Sequence, residues 1–451
     1  MLSSQIVLMS IIFTLTIILM LWRPFGINET IPTTIGALTV LVAGIVPWMD
    51  VLNIFDIIRG ASLTILSTIM MSIVLESIGF FRWIALNIII RSKGSGVRLF
   101  VYTNLLCFFM TMFFNNDGSI LITTPIIIHI VTLLKIKPHQ KIPFLISGAL
   151  IATAASAPIA VSNISNLIAL KIVGLRLNSY INMMFVPSMI GILTIGLLLY
   201  LYFKKDLPRK IPSVPVKWDN TFSRYVQTHP LDIKQQSEDN DWKLFKMSFA
   251  IVILTRASFF ALTPFGVPLE LIGMVGAFLL ILLRWYKTKT GLSDIVKKTP
   301  WHVLLFAFNM YVLVYGLKNV GLNDYIVSNL KPLILDSPFN ATMIMGILLT
   351  ILSNLFNNLP AVMIGTLSIT EMGLDPHLVQ IAYLANVIGS DIGALLTPVG
   401  TLATLIWMYI LKKHSINISW GKYLRVTFLI IPIGLIVSLI SLYFWTTWLL
   451  K

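Results

Sequence analysis

Long apolar tracts alternate with short polar segments along the whole chain. A transmembrane helix needs about 20 predominantly apolar residues, and tracts near that length recur in the same order in both halves. The predicted elements of the first half are spans at 4–22, 31–49 and 62–82, a helical hairpin at 97–135, a broken span at 142–173 and a span at 180–203. Those of the second half are spans at 243–262, 266–284 and 301–322, a hairpin at 340–371, a broken span at 377–411 and a span at 421–448.

Adjacent asparagines interrupt two of these apolar tracts in matching contexts. FNNDGSILITTP runs from Phe114 to Pro125, and FNNLPAVMIG runs from Phe356 to Gly365. An asparagine in hydrocarbon is costly unless protein or water satisfies its amide. Chance explains one such motif more easily than two in matching contexts. We therefore interpret the motifs as the tips of two re-entrant helical hairpins that point to the middle of a membrane.

The span that follows each hairpin is too long for one clean helix and is interrupted by small and polar residues. The first reads TAASAPIAVSNISN from Thr153 to Asn166, and the second reads GSDIGALLTPVGT from Gly389 to Thr401. Proline, glycine and clustered polar side chains at mid-membrane depth indicate an unwound helix, because such backbone is tolerated only inside protein or beside water.

The shared order of elements predicts how the two halves are related. A re-entrant hairpin does not cross the membrane, so each half crosses it five times and the second half is inverted. The predicted fold is an all-α polytopic membrane protein, an inverted-topology repeat of five transmembrane helices each, with one re-entrant hairpin and one broken helix per repeat. Residues 1–203 form the first repeat, 204–242 a polar linker and 243–451 the second repeat. In such folds the site lies at the repeat interface.

The charged residues give this topology an orientation. Alternation places Arg23 and the basic segments 82–98, 135–141, 284–298 and 412–425 on one side. The short loops on the other side hold Arg59, Lys171, Arg176, Lys318 and Lys331 together with the acids Asp50, Asp56, Asp324, Asp336, Glu371 and Asp375. The basic side is cytoplasmic by the positive-inside rule. Both termini are then expected outside, hairpin 1 enters from the cytoplasm, hairpin 2 enters from outside, and the linker is cytoplasmic.

Composition agrees with a membrane protein and excludes several other classes. The 451 residues are 57% hydrophobic and 11% charged, with a mean hydropathy of +0.88. The formal charge of +15 is explained by cytoplasmic loops, so nucleic acid is not an expected partner. The first span has no basic segment before it and no cleavage site, and we expect it to be retained. No Walker-type phosphate loop occurs, so this chain is not predicted to hydrolyse ATP by that route.

Two carboxylates at membrane depth are candidates for proton coupling. Asp117 follows the asparagines of hairpin 1, and Asp391 lies in the second broken span. An intramembrane carboxylate is a functional hypothesis by default. The alternative is helix capping, since aspartate accepts hydrogen bonds from free amides at a helix start. The two roles are compatible, because a capping carboxylate can still exchange a proton.

Uncharged polar residues at the tips and breaks are candidates for substrate binding. They are Asn115, Asn116, Ser162, Asn163, Asn357, Asn358, Thr397 and Thr401. Such groups, with the partial positive charge of helix starts, suit a small hydroxylated solute or a bare cation. No lysine or arginine lies in these elements near their breaks, and no His/Cys/Asp cluster has metal-ligand spacing. We therefore predict no metal and no cofactor. Arg256, in the sixth span, either pairs with a carboxylate or snorkels to the interface.

These segments also carry a family likeness. FNNDGSILITTP, SAPIAVSNISNLIALKIVGL, FNNLPAVMIGTLSI and ANVIGSDIGALLTPVGTLATLIWMYIL resemble the ArsB arsenite efflux permeases of the ion transporter superfamily, as do GFFRWIAL and MYVLVYGLKNVGL. The likeness covers nearly the whole chain outside the linker. One departure follows Gly393, where this chain has Ala394 and Leu395 and the family commonly has proline and a basic residue.

The resemblance implies a multi-pass protein of the bacterial plasma membrane. Its implied activity is the expulsion of arsenite and antimonite in exchange for protons, with a soluble arsenite-stimulated ATPase subunit as a further possible partner. Arsenite near neutral pH is mostly the uncharged trihydroxide, and a polar site without fixed cations fits that solute. Capture by three thiolates is excluded because Cys107 is the only cysteine.

Other functions stay open on the sequence alone. A sodium/proton antiporter or a sodium-coupled anion carrier of the same superfamily would use Asp117 and Asp391 as sodium ligands. A passive channel also fits an inverted repeat with hairpins. An enzyme fits least, because the membrane region contains no nucleophile–base pair.

Overall fold

The computed structural model describes residues 4–24, 27–211, 242–289 and 291–449. Its regular structure over these residues is helical, which confirms the predicted all-α class. Most of the predicted linker, 212–241, lies outside the described residues.

The first half consists of nine α-helices in chain order. They are α1 (Ser4–Trp22), α2 (Thr30–Val42), α3 (Trp48–Ser77), α4 (Phe80–Ser92), α5 (Gly96–Phe113), α6 (Asn116–Leu133), α7 (Pro138–Ala154), α8 (Ile164–Val173) and α9 (Leu177–Phe203). Helices α5 and α6 form the first helical hairpin. The chain between α7 and α8 contains only a short 3-10 turn, Ala160–Ser162, so the first broken span is interrupted as expected.

The second half follows a similar order. Its helices are α10 (Trp242–Leu262), α11 (Leu269–Thr288), the short α12 (Ser293–Lys298), α13 (Trp301–Asn319), α14 (Leu322–Leu335), α15 (Pro338–Phe356), α16 (Asn358–Glu371), α17 (Pro376–Asp391), α18 (Leu402–Lys413) and α19 (Trp420–Leu449). Helices α15 and α16 form the second hairpin. A 3-10 turn, Gly393–Leu396, separates α17 from α18.

The predicted bounds of the second and third spans are wrong, and three helices were missed. Helix α2 ends at Val42 rather than at 49, because Gly44 adopts a left-handed φ of 67°. Helix α3 then begins at Trp48, fourteen residues before the predicted start at 62. Its N-cap is Pro47, whose fixed φ suits a helix start. One missed helix is the six-residue α12. The other two are α4 and α14, each of which follows a glycine that ends the preceding long helix.

The two halves carry the same local signals at the same spacing. Gly79 and Gly321 precede α4 and α14 with left-handed φ values of 79° and 89°. Ser95 and Ser337 cap α5 and α15 by accepting from the backbone amide three residues ahead. The interval from Gly79 to Ser95 equals that from Gly321 to Ser337. The interval from Ser95 to the first Phe-Asn-Asn motif also equals that from Ser337 to the second motif, so this part of the two halves aligns without insertion.

The broken spans match in the same way. Helices α7 and α17 both begin with Pro-His, at Pro138 and Pro376. The helix after each break is capped by a polar side chain, Asn163 for α8 and Thr401 for α18. Each cap lies the same number of residues beyond its Pro-His start.

Helices of one half pack against helices of the other across the molecule. Helix α3 packs on α11, and α2 packs on α13; the last helices, α9 and α19, also pack together. The second arm of each hairpin contacts the far side of the other half's break, with α6 on α18 and α16 on α8. This arrangement brings both tips and both breaks into one buried region.

Candidate functional site

Asp391 joins the two broken spans. It ends α17 and is fully buried, and its carboxylate accepts hydrogen bonds from three side chains of the first half. Oδ2 accepts from Ser156 Oγ at 2.7 Å and from Asn166 Nδ2 at 2.6 Å, while Oδ1 accepts from Asn163 Nδ2 at 2.9 Å. Ser390 Oγ lies 3.5 Å from Oδ1. Every side chain bonded to this carboxylate is a donor.

Two buried tyrosines and one cap hold the donors in place. The hydroxyl of Tyr383 in α17 donates to the carbonyl of Asn166 at 3.0 Å, and that of Tyr180 in α9 donates to the carbonyl of Ala157 at 2.5 Å. Asn163 Oδ1 accepts from the backbone amide of Ser165 at 3.1 Å, so this side chain caps α8 and reaches Asp391 at once. The break is therefore fixed by backbone and side-chain contacts on both sides.

At the tip of hairpin 1 the predicted residues have different surroundings. Asn115 caps α6, because its Oδ1 accepts from Gly118 N at 2.6 Å. Asn116 is buried, and its Oδ1 has no hydrogen-bond partner among the described residues. Asp117 accepts no hydrogen bond and forms no ion pair within the described chain, and the charges that act on it are those of Glu29 and Asp391.

The tip of hairpin 2 is bonded to the second break. Asn357 Nδ2 donates to Val399 O at 3.1 Å, and the backbone amide of Asn358 donates to Gly400 O at 2.9 Å. Asn357 has φ 80° and ψ 155°, a conformation close to one that is essentially restricted to glycine. Its Oδ1 is buried without a partner in the described structure. Backbone strain of this kind is concentrated at functional sites.

The two predicted threonines, Thr397 and Thr401, form hydrogen bonds within and beside the second break. Thr397 donates through both its backbone amide and its hydroxyl to Asn354 Oδ1, each at 2.8 Å. Asn354 Nδ2 in turn donates to Gly393 O at 2.9 Å. Thr401 caps α18 by accepting from Thr404 N at 3.1 Å. Both threonines therefore have local bonding roles.

Arg256 takes neither of the two roles considered for it. From α10 it extends to the tip of hairpin 1, where Nε donates to Phe113 O and Nη2 donates to Phe114 O. It is buried and forms no ion pair with a described residue. No cation was expected near the tips, because none lies in the hairpins or broken spans themselves. Packing between elements supplies this one.

The structure places all predicted site residues at the tips or breaks, and it separates them by bonding. Helix caps and hydrogen bonds between elements already use polar atoms of Asn115, Asn163, Thr397 and Thr401. Ser162 Oγ, like the amide oxygens of Asn116 and Asn357, is buried without a partner among the described residues. Each of these three predicted site residues therefore has hydrogen-bonding capacity to spare.

Sequence reasoning missed several contributors. Ser156 and Asn166 stand in the first broken span as polar residues, but nothing local marks them as partners of Asp391. Asn354 lies two residues before the Phe-Asn-Asn motif of hairpin 2, and this proximity is the signal that could have identified it. Glu29 is buried beside α2 and pairs with Arg23 at 2.9 Å.

The chemistry open to this region is that of hydrogen bonding and proton exchange. Among the described residues no group of three or more His, Cys, Asp and Glu is arranged to hold a metal ion. Cys107 is fully buried in α5. Amide and hydroxyl groups with two carboxylates remain, and they meet at interrupted helices.

These features define a class of protein. Eleven of the described helices are long and apolar enough to cross a membrane, and the polar residues collect at their interruptions, as in multi-pass membrane transporters. The profile of the ArsB family, described as arsenical pump membrane protein, matches residues 8–446. The chain therefore belongs to the arsenical pump membrane protein family.

Individual relatives agree with this assignment. A Bacillus subtilis (strain 168) protein is 50% identical over 439 residues, 97% of this chain and 99% of the relative. Its name is a provisional one, arsenical pump membrane protein. The arsenical pump membrane protein of Escherichia coli (strain K12) is 33% identical over 416 residues, 92% and 93% of the two chains. A Mycobacterium tuberculosis transporter without an assigned function is 24% identical over 426 residues, 93% and 94% of the two chains. The family assignment does not favour the sodium-coupled alternative.

Proposed function

We propose that this protein carries out secondary active efflux of arsenite and antimonite across the bacterial plasma membrane, in exchange for protons. The observation that carries the proposal is the collection of two buried-region carboxylates and uncharged polar side chains at the interrupted elements, Asp391 at the broken spans and Asp117 at the tip of hairpin 1. The names of the relatives supply the arsenical substrate, and the residues supply a site suited to its uncharged trihydroxide.

The proposed architecture is an inverted-topology repeat of residues 1–203 and 243–451, joined by a cytoplasmic linker at 204–242. Two observations support it. The local signals of the two halves recur at equal spacing, and equivalent arms make equivalent contacts, with α6 on α18 and α16 on α8. Each hairpin then re-enters from its own side of the membrane, and the site lies between the repeats.

The proposed substrate contacts follow from the hydrogen-bonding capacity of the site. Arsenite trihydroxide offers three O–H donors and its oxygens also accept. Asn116 Oδ1, Asn357 Oδ1 and Ser162 Oγ are buried oxygens without partners among the described residues. A buried acceptor left unpaired costs about 1–3 kcal/mol, so a hydroxylated solute that bonds to these oxygens recovers that cost. Asn115, Asn163, Asn358, Thr397 and Thr401 complete the proposed site as groups that shape it.

Asp117 and Asp391 are the proposed proton-coupling residues, and their different hydrogen-bonding surroundings suggest different roles in the transport cycle. Asp391 is surrounded by donors that suit its anion, and a proton on Oδ2 would compete with Ser156 and Asn166. Asp117 has no such bonds within the described chain, so a proton reaches it without breaking any. We assign the exchanged proton to Asp117. We assign to Asp391 the hydrogen bonds that hold the two broken spans together.

The proton gradient is the proposed energy source, and the carrier needs no cofactor. A soluble arsenite-stimulated ATPase subunit is a proposed additional partner, which the proton-driven cycle does not require. Protons, arsenite or antimonite and the lipid bilayer are the essential partners.

Transport into inside-out vesicles tests the proposal. Vesicles that contain the protein should accumulate arsenite and antimonite when their interior is acidified, and should not do so without a pH gradient. Entry that stops at the external concentration, with or without a pH gradient, would identify a passive channel. A requirement for sodium would identify a sodium-coupled carrier. Expression in a bacterium deleted for its own arsenite pump should restore tolerance to both solutes.

A further inference from the structure

The side chain of Arg256 joins the second half of the chain to the tip of hairpin 1. It lies in α10, and its Nε and Nη2 donate to the carbonyls of Phe113 and Phe114. Phe113 is the last residue of α5, and Phe114 begins the turn that leads directly into Asn115. One guanidinium thus bonds to two consecutive carbonyls of the turn.

The arginine has an unusual charge environment for a membrane-embedded residue. It is buried, no carboxylate among the described residues pairs with it, and its Nη1 has no hydrogen-bond partner among them. The negative end of α5 and the face of Phe259, 5.5 Å from the guanidinium carbon, are the groups that compensate its charge. A buried cation is costly in a membrane and marks function by default.

Resting on the proposed function, we infer that Arg256 is a positioning residue for the solute site, which fixes the hairpin 1 tip so that Asn116 and Asp117 face the solute. The planar fork of arginine suits this task, because it can hold two acceptors at a set angle and lysine cannot. The tip of hairpin 2 is held differently, because Asn357 and Asn358 donate hydrogen bonds from it to the second break. The two tips are therefore fixed by different elements.

The first measurement separates positioning from simple stabilisation. Arg256→Gln and Arg256→Lys are compared with Lys246→Met, which removes an exposed charge from the same helix. We expect the KM for arsenite to rise about tenfold in Arg256→Gln and less in Arg256→Lys, with the maximal rate per folded molecule within about threefold of wild type. Lys246→Met should match wild type. An unchanged KM in folded Arg256→Gln and Arg256→Lys protein would overturn the inference.

The second measurement does not depend on transport. In a Cys107→Ala background, Asn116→Cys is labelled with a small thiol reagent, with and without Arg256→Gln. We expect labelling to be at least fivefold faster when the arginine is absent, because the turn is released. If Arg256→Gln does not fold, Phe259→Leu removes the ring beneath the guanidinium and should raise the labelling rate about twofold. Equal rates in all folded variants would contradict a positioning role even if arsenite transport itself were disproved.

Discussion

Asn166 donates from Nδ2 to Oδ2 of Asp391 over 2.6 Å, although 225 positions separate the two residues. This bond links the first broken span to the second inside the membrane. Ser156 and Asn163 donate to the same carboxylate, so the two halves of the chain share one buried junction.

The junction should contribute measurably to stability. Ser156→Ala and Asn166→Leu each remove a donor from a buried carboxylate, which costs about 1–3 kcal/mol. Thermal unfolding of the purified protein in detergent is the measurement. Ser328→Ala is the matched control, because its hydroxyl bonds only to a backbone carbonyl on an exposed part of α14. If Ser156→Ala unfolds at the same temperature as Ser328→Ala, the junction does not stabilise the protein.

Proton coupling should depend on Asp117. Asn preserves the size of Asp117 but cannot release a proton at physiological pH, so Asp117→Asn should abolish arsenite accumulation driven by a pH gradient and leave downhill exchange measurable. Asp391→Asn should chiefly lower stability. Asp336→Asn, at an exposed position, is the control. Wild-type accumulation rates in both Asp117→Asn and Asp391→Asn vesicles would show that neither carboxylate carries the proton.

The tip asparagines should be required for transport and dispensable for insertion. Asn116→Leu and Asn358→Leu remove polar groups from the proposed site, while leucine partitions into a membrane better than asparagine. We expect normal amounts of inserted protein with loss of arsenite resistance. Asn329→Leu, on the exposed side of α14, should retain resistance. Resistance at the wild-type level in both tip variants would leave the asparagines with a scaffolding role only.

Sidedness follows from the proposed inverted repeat. In a Cys107→Ala background, Lys289→Cys should react with an impermeant thiol reagent only in inside-out vesicles, and Asp336→Cys only in intact cells. The reason is that Lys289 belongs to the basic loops assigned to the cytoplasm and Asp336 to the acidic ones. Reaction of both positions from one face would rule out the assigned topology.

An ion pair at the end of hairpin 2 opposite its tip should link that hairpin to α13. Lys318 Nζ lies 2.9 Å from Glu371 Oε1, and Asn323 Nδ2 donates to Oε2 of the same carboxylate at 2.9 Å. The pair is partly exposed, so its coupling energy should be about 0.5–1 kcal/mol. A double-mutant cycle of Lys318→Met and Glu371→Gln, read by thermal unfolding, measures it. Exact additivity of the two single changes would mean that the pair contributes nothing.

The hairpins and breaks were predictable because their signals are local. Asparagine pairs at Asn115 and Asn357 and the proline- and glycine-containing interruptions stand out within apolar tracts, and a helix ends at each of them in this structure. Helices α4 and α14 were missed for the opposite reason. Their boundaries depend on Gly79 and Gly321, and a glycine in an apolar tract does not show from sequence whether it adopts a left-handed φ.

The sequence by itself determined the membrane class, the order of the hairpins and broken spans and the places where they are interrupted, because hydrophobic length and helix-breaking residues act within a few positions of the chain. Only the tertiary structure decided which polar groups are bonded to one another. Asp391 could have met any of several polar side chains, and Arg256 could have met a carboxylate. Packing of helices distant in sequence joined Asp391 to Asn166 and placed Arg256 on the carbonyls of hairpin 1, and no pattern within one helix encodes such pairings.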